Sequence, residues 1–176
     1  GVTPAQPFWQ QKALIALERM VGRITTHWVA VSQADRRQGI EWGLFTASKV
    51  SVVRPGIDPT AFAARIESPE RDRLRAMLGV APDQLLVGTV SCLKPQKSPE
   101  DFVRVAALVC QRVPAARCVL VGDGALRPKV EALLLAQGLQ DRVTLLGWRR
   151  DVAALLKAFD VFVLTSQWEG LPCAIL

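Results

Sequence analysis

The chain has 176 residues, 50% of them hydrophobic and 22% charged, enough for one substantial core and part of a second. Lys and Arg number 22 against 16 Asp and Glu, a formal charge of +6 spread along the sequence, which suits a phosphate-bearing ligand or an anionic membrane surface. The arginines form no basic stripe interleaved with aromatic residues, which argues against nucleic acid as a partner, and no run of eighteen apolar residues is present to span a bilayer.

In chain order, Phe8 to Val21 sets Ala13, Leu14, Leu17 and Val21 on one helical face. A strand at Trp28 to Val31, a helix near Gln33 to Trp42 and a strand at Lys49 to Val53 follow, and two strands alone cover such a helix poorly. The turn Arg54-Pro55-Gly56-Ile57-Asp58-Pro59 punctuates the chain, and a charged helical stretch from Pro69 to Leu78 leads to Gly79. From about residue 84 a pattern repeats. Apolar runs at Leu85 to Val90, Cys118 to Val121, Val143 to Leu146 and Val161 to Leu164 read as parallel strands buried on both faces. Between them, helices are expected over Pro99 to Val113, Leu126 to Ala136 and Val152 to Phe159, the second stopped by Gly138. Alternating strands and helices with short loops predict an α/β fold, a Rossmann-like parallel sheet with flanking helices.

Ligands of such sheets bind at the carboxyl ends of the strands, where helix N-termini and loops converge. After the first of the four runs, Lys97 stands just before a helix that opens with Ser98 and Pro99. Its ammonium can neutralise a phosphate there or be a solvated surface lysine, and spacing favours neither. Gly122-Asp123-Gly124 permits a tight turn and close backbone approach to a ligand, although a plain turn has the same sequence. Gly147 again permits approach, while Trp148 reads as a packing residue rather than a base-stacking platform. The strongest local signal follows the fourth run, Thr165-Ser166-Gln167-Trp168-Glu169-Gly170-Leu171-Pro172, where Glu169 sets a carboxylate beside backbone N–H donors at an expected helix start, with helix capping by Glu169 as the alternative. His27, at a strand start, reads as structural, and no metal-ligand cluster is apparent. Cys92, Cys110, Cys118 and Cys173 form no C-x-x-C pair and lie mostly among aliphatic residues, so a reduced cytoplasmic compartment is expected.

The order of these pieces resembles the retaining glycosyltransferases of family 4, with the GT-B fold of two Rossmann-like domains around a donor cleft. Val31-Ser32 is similar to the family's V-x-V-S strand end, and Arg54-Pro55-Gly56-Ile57-Asp58 to its P-N-G-I-D connection. Leu93 and Lys97 match the G-R-L-x-x-x-K-G loop, and Gly122-Asp123-Gly124, Val143 to Gly147, Asp160 to Ser166 and the E-G-x-P at Glu169 follow in order. Two departures stand out: Cys92 replaces the family's loop arginine, and Ser91 and Ser98 replace its glycines, so that diphosphate binding leans on Lys97, with Lys94 beside it.

The resemblance implies a chain truncated at both ends, as the abrupt Gly1 and the apolar Ala174-Ile175-Leu176 also suggest. Residues 1–58 would be the remnant of the acceptor-binding domain with the interdomain connection, and residues 59–176 the donor-binding domain. It implies Lys97 on the donor diphosphate and Glu169 on the donor sugar, as the first of two glutamates whose second falls at position 177. Lys94, Gly122, Asp123, Gly124, Gly147, Trp148, Gly170, Leu171 and Pro172 would complete the donor site. The implied function is transfer of a sugar from a nucleotide diphosphate-sugar to a sugar or lipid-linked hydroxyl acceptor, with retention, in glycan or glycolipid biosynthesis. No cofactor beyond the donor substrate and no metal are expected. The expected location is cytoplasmic, with peripheral contact at the inner membrane face. The 176-residue piece alone is expected to be inactive and to self-associate through the apolar face around Leu14 and Leu17. Two other readings stay open: a degenerate, non-catalytic nucleotide-binding or assembly module, and a sugar-nucleotide epimerase of the same fold.

Overall fold

Each expected apolar run forms a strand, and each amphipathic segment between them a helix. A computed structural model describes residue 2, residues 6–58, residue 60 and residues 68–175, so that Gly1, Pro59 of the predicted turn and Leu176 of the apolar end lie outside the described residues. The chain divides into two units, one of residues 1–57 with 170–176 and one of residues 58–169.

The first unit holds α1 (Phe8–Ile24), β1 (Trp28–Ala30), α2 (Gln33–Glu41) and β2 (Val50–Val52). The two strands pair in parallel with Trp28 opposite Val50. Ser32 caps α2: its hydroxyl oxygen accepts from the Asp35 N–H (3.0 Å) and its hydroxyl donates to the Asp35 carboxylate (2.6 Å). His27 Nε2 lies 2.8 Å from the Ser51 hydroxyl, tying the start of β1 to β2, in keeping with a structural role. A two-stranded sheet offers little surface, and α1 accordingly has no buried residue; Trp9, Leu17, Met20 and Ile24 are exposed.

The second unit runs α3 (Ser68–Met77), β3 (Leu85–Val90), α4 (Pro99–Arg112), β4 (Ala116–Val121), α5 (Arg127–Ala136), β5 (Val143–Gly147), α6 (Val152–Ala158) and β6 (Val161–Phe162). All four strands are parallel in the order β5-β4-β3-β6. Successive side chains of β3 and β4 enter opposite cores. Val87, Cys118 and Leu120 pack with Phe102, Ala106, Val130 and Leu134 of α4 and α5. Leu86, Val119 and Val121 pack with Leu155 and Ala158 of α6. Burial on both faces therefore holds for the central pair. It does not hold for β5 and β6, where Thr144 and Val161 are exposed, because these are the sheet edges.

Asp160 anchors the β6 edge. Its N–H donates to Leu86 O (2.8 Å), and its carboxylate accepts from Leu86 N (2.7 Å), Arg71 (2.6 Å) and Arg75 (2.9 Å), joining α3 to the sheet. Burial pushes this carboxyl up, but the bonds from Leu86, Arg75 and Arg71 outweigh it and hold it below the usual aspartate range. Arg75 is 4% exposed, so removing its counter-charge strands a buried guanidinium. Asp160→Ala is expected to cost about 3 kcal/mol in chemical denaturation. Arg71→Ala, on a pair one-third exposed on the arginine side, is expected to cost less than about 1 kcal/mol. A depressed folded pKa means that the Asp160 contribution is complete above about pH 4, the unfolded value. It is lost as pH falls through the lower folded value, so wild type and Asp160→Ala should converge in stability there.

Candidate functional site

From β3 the chain winds through β4 to β5 on one side, then returns through α6 to place β6 on the other side of β3. The reversal creates a topological switch point at the carboxyl ends of β3 and β6, the place where open α/β sheets receive ligands. Lys97 lies on the loop after β3 and Glu169 on the segment after β6. The structure brings them together as an ion pair, with side chains 20% and 16% exposed. Lys97 is therefore not a freely solvated lysine.

The loop that carries Lys97 is short and firmly held. Pro95–Lys97 form one 3-10 turn, Ser98 takes a left-handed conformation (φ 44°, ψ 58°), and α4 begins at Pro99. The Ser98 hydroxyl donates to Asp101 (2.6 Å) within the first turn of α4. On the opposing segment the Thr165 hydroxyl lies 3.1 Å from the carbonyl oxygens of both Lys97 and Ser98. Gln96 accepts from Gln167 N (2.8 Å) through its carbonyl and donates from its side chain to Trp168 O (3.0 Å).

No helix is assigned among the described residues from 163 to 175, and the Glu169 carboxylate meets Lys97 of the 96–98 loop. Burial pushes the Glu169 carboxyl up, while the Lys97 hydrogen bond and the charges of Lys97 and Lys94 act against it and hold it below the usual glutamate range. Lys94 itself is exposed.

The two loop glycines after β4 have a reason internal to the chain. A Cβ on Gly122, where φ is +124°, would come 2.0 Å from Ser91 O, and one on Gly124 would come 2.6 Å from Leu93 O. The backbone that approaches them is the chain's own 91–93 loop, which donates from Ser91 N to Val121 O and from Leu93 N to Asp123 O (2.9 Å each). Asp123 is engaged by Gly124 N (2.8 Å) and by Arg127 (2.9 Å). Gly147 accepts from Gly122 N (2.8 Å), which draws the end of β5 to the same place.

The expectation for Trp148 is corrected. It is 72% exposed and so is no packing residue; it directly follows Gly147, whose φ is 67°. It borders a cleft of 170 Å³ together with Val90, Ser91, Cys92, Gly122 and Arg149. Gly170, Leu171 and Pro172 group with the first unit, where Gly170 lies against Val31 and Asp35. Gln96 and Thr165 lie in the stretches that the sequence singles out, but the sequence assigns neither a role. Nothing in the spacing says that residue 165 reaches residue 97; only the strand order does.

Among the described residues no group of three or more His, Cys, Asp or Glu lies together to hold a metal ion, and no helix is long and apolar enough to cross a membrane. A parallel α/β unit with a half-buried lysine–carboxylate pair at its switch point belongs to the class that receives anionic ligands at strand ends. The model of the family described as Glycosyl transferases group 1 matches residues 70–176, more than half of the chain, and the chain belongs to that family. The UDP-Gal:alpha-D-GlcNAc-diphosphoundecaprenol alpha-1,3-galactosyltransferase of Escherichia coli is 34% identical over 163 residues, 91% of this chain and 42% of that protein. The crystal structure of Anabaena Alr3699/HepE in complex with UDP-glucose is 27% identical, with a TM-score of 0.74 over 86% of this chain and 42% of that one. WaaG, a glycosyltransferase involved in lipopolysaccharide biosynthesis, superposes with a TM-score of 0.81 over 99% of this chain and 51% of that one; at 18% identity it shows the fold alone. The chain thus spans about half or less of each of these proteins. Its Rossmann-like α/β class, anticipated from the sequence, is that of these GT-B neighbours.

The contact at Gly122 supplies a direct check of the site's framework. Gly122→Ala is expected to lower stability by about 3 kcal/mol or to prevent folding, since both the clash and the positive φ oppose a side chain. A thermal melt of that variant measures it.

Proposed function

We propose that the whole protein transfers a sugar from a nucleoside diphosphate-sugar to a hydroxyl acceptor, with retention at the anomeric carbon, and that Lys97 and Glu169 form the heart of its donor site. The observation that carries this reading is the Lys97–Glu169 pair at the β3/β6 switch point. An ammonium has three N–H donors, so Lys97 can keep a bond to Glu169 while giving others to a phosphate oxygen. In transfer, the bond from the anomeric carbon to the diphosphate oxygen breaks and its electron pair leaves on the phosphate. The acceptor oxygen bonds to that carbon, and the acceptor's proton passes to the departing diphosphate. Lys97 neutralises charge as it develops there, an effect larger in a half-buried site than in water. Glu169 then accepts hydrogen bonds from sugar hydroxyls.

Lys94 adds a second positive charge, and the 170 Å³ cleft lined by Gly122 and Trp148 takes the nucleoside base, with Gly147 bonded to Gly122 N at its edge. In this reading residues 59–176 supply the donor side and residues 1–58 the end of the acceptor domain with its connection. Named relatives support a uridine diphosphate donor and a lipid-linked acceptor in polysaccharide or glycolipid synthesis, through the E. coli galactosyltransferase and the UDP-glucose bound to Alr3699/HepE. A lipid-linked acceptor would place the work at the cytoplasmic membrane face, which the net charge of +6 favours.

With the full-length protein and a UDP-sugar, transfer is expected to give the retained anomer by NMR. Lys97→Ala is expected to lower kcat by about 10²- to 10³-fold. Wild-type turnover by Lys97→Ala would sink the assignment. Nucleotide binding with no transfer to any hydroxyl acceptor would favour the non-catalytic binding module instead.

A further inference from the structure

A lysine on four rotatable bonds points where its main chain lets it. The main chain at Lys97 is one 3-10 turn followed by a left-handed serine, a conformation with little intrinsic stability. Two bridges from the segment after β6 hold it. The Thr165 hydroxyl reaches the carbonyl oxygens of Lys97 and Ser98, each at 3.1 Å. Ser98 O already accepts from Asp101 N (3.0 Å) at the start of α4, whereas Thr165 supplies the described hydrogen bond to Lys97 O. Gln96 forms the second bridge: its carbonyl accepts from Gln167 N and its side chain donates to Trp168 O, the carbonyl just before Glu169. The ion pair between residues 97 and 169 is thus bracketed by main-chain bridges at 96–98 and 165–168.

We propose that Thr165, assisted by Gln96, is a positioning residue of the donor site, fixing the direction from which Lys97 meets the diphosphate independently of the Lys97–Glu169 pair. The consequence is preorganisation. When a diphosphate takes the ammonium, the frame that aims it stays in place, and no reorganisation is needed as charge develops. The proposal rests on the sugar-transfer reading of the same site.

The test is a kinetic cycle in the full-length protein, with kcat and donor KM measured for Thr165→Val, Thr165→Ser, Gln96→Ala, Lys97→Ala and the Lys97→Ala/Thr165→Val double variant. Thr165→Val is expected to lower kcat about tenfold, since misaiming a charge costs rate before it costs binding. Thr165→Ser, which keeps the hydroxyl, is expected to restore kcat to within about twofold. In the Lys97→Ala background, Thr165→Val should cause no further loss, because the residue it positions is gone. Wild-type kcat in folded Thr165→Val, or an equal loss in both backgrounds, would overturn the proposal; the second result is what a merely structural threonine gives. If Thr165→Val fails to fold, Gln96→Ala, which keeps its main-chain bond to Gln167, carries the same test with the same expected pattern. Unchanged activity in Lys97→Ala would bring down the donor-site reading itself, and this proposal with it.

Discussion

Leu93 has no exposed surface, its N–H donates to Asp123 O (2.9 Å), and its carbonyl accepts from Leu126 N (3.0 Å). The loop after β3 is therefore clamped onto the loop after β4 by the chain's own main-chain bonds. That clamp requires Gly122 and Gly124, because side chains there would occupy the space of Ser91 and Leu93 backbone atoms. It also fixes where the 3-10 turn begins, and so where Lys97 emerges. From the other side, Thr165, Gln167 and Trp168 close on the same turn once β6 has paired with β3 and Asp160 has locked that edge to Leu86, Arg71 and Arg75.

The electrostatics follow from this framework. A half-buried lysine and glutamate in contact add little net stability, since desolvation offsets their attraction. The ammonium is held at the switch point, and a second lysine, Lys94, is near enough for its charge to act on the same Glu169 carboxylate. Two carboxylates nearby have other partners, Asp123 with Arg127 and Asp101 with Ser98 and Arg104, and neither contacts Lys97.

Much of the fold was legible because β3 and β4 are buried on both faces and so spell continuous apolar runs, while α4 and α5 show their inward residues at helical spacing. Family membership was legible from the order of short motifs along the chain. Strand order was not, since placing β6 beside β3 is a matter of topology that no local pattern encodes. For the same reason neither the meeting of Lys97 with Glu169 across 72 residues nor the contributions of Thr165 and Gln96 could be read. The glycines were read for the right property, close backbone approach, but the approaching backbone is the chain's own. Trp148, expected to pack, is exposed.

Calorimetric titration of uridine diphosphate into the full-length protein and its Lys97→Ala variant bears most directly on the donor site. A lysine that neutralises the diphosphate should, when removed, weaken binding about ten- to a hundredfold, or about 1.4–2.8 kcal/mol. Equal affinity of the two proteins for the nucleotide would contradict the placement of the donor diphosphate at the β3/β6 switch point.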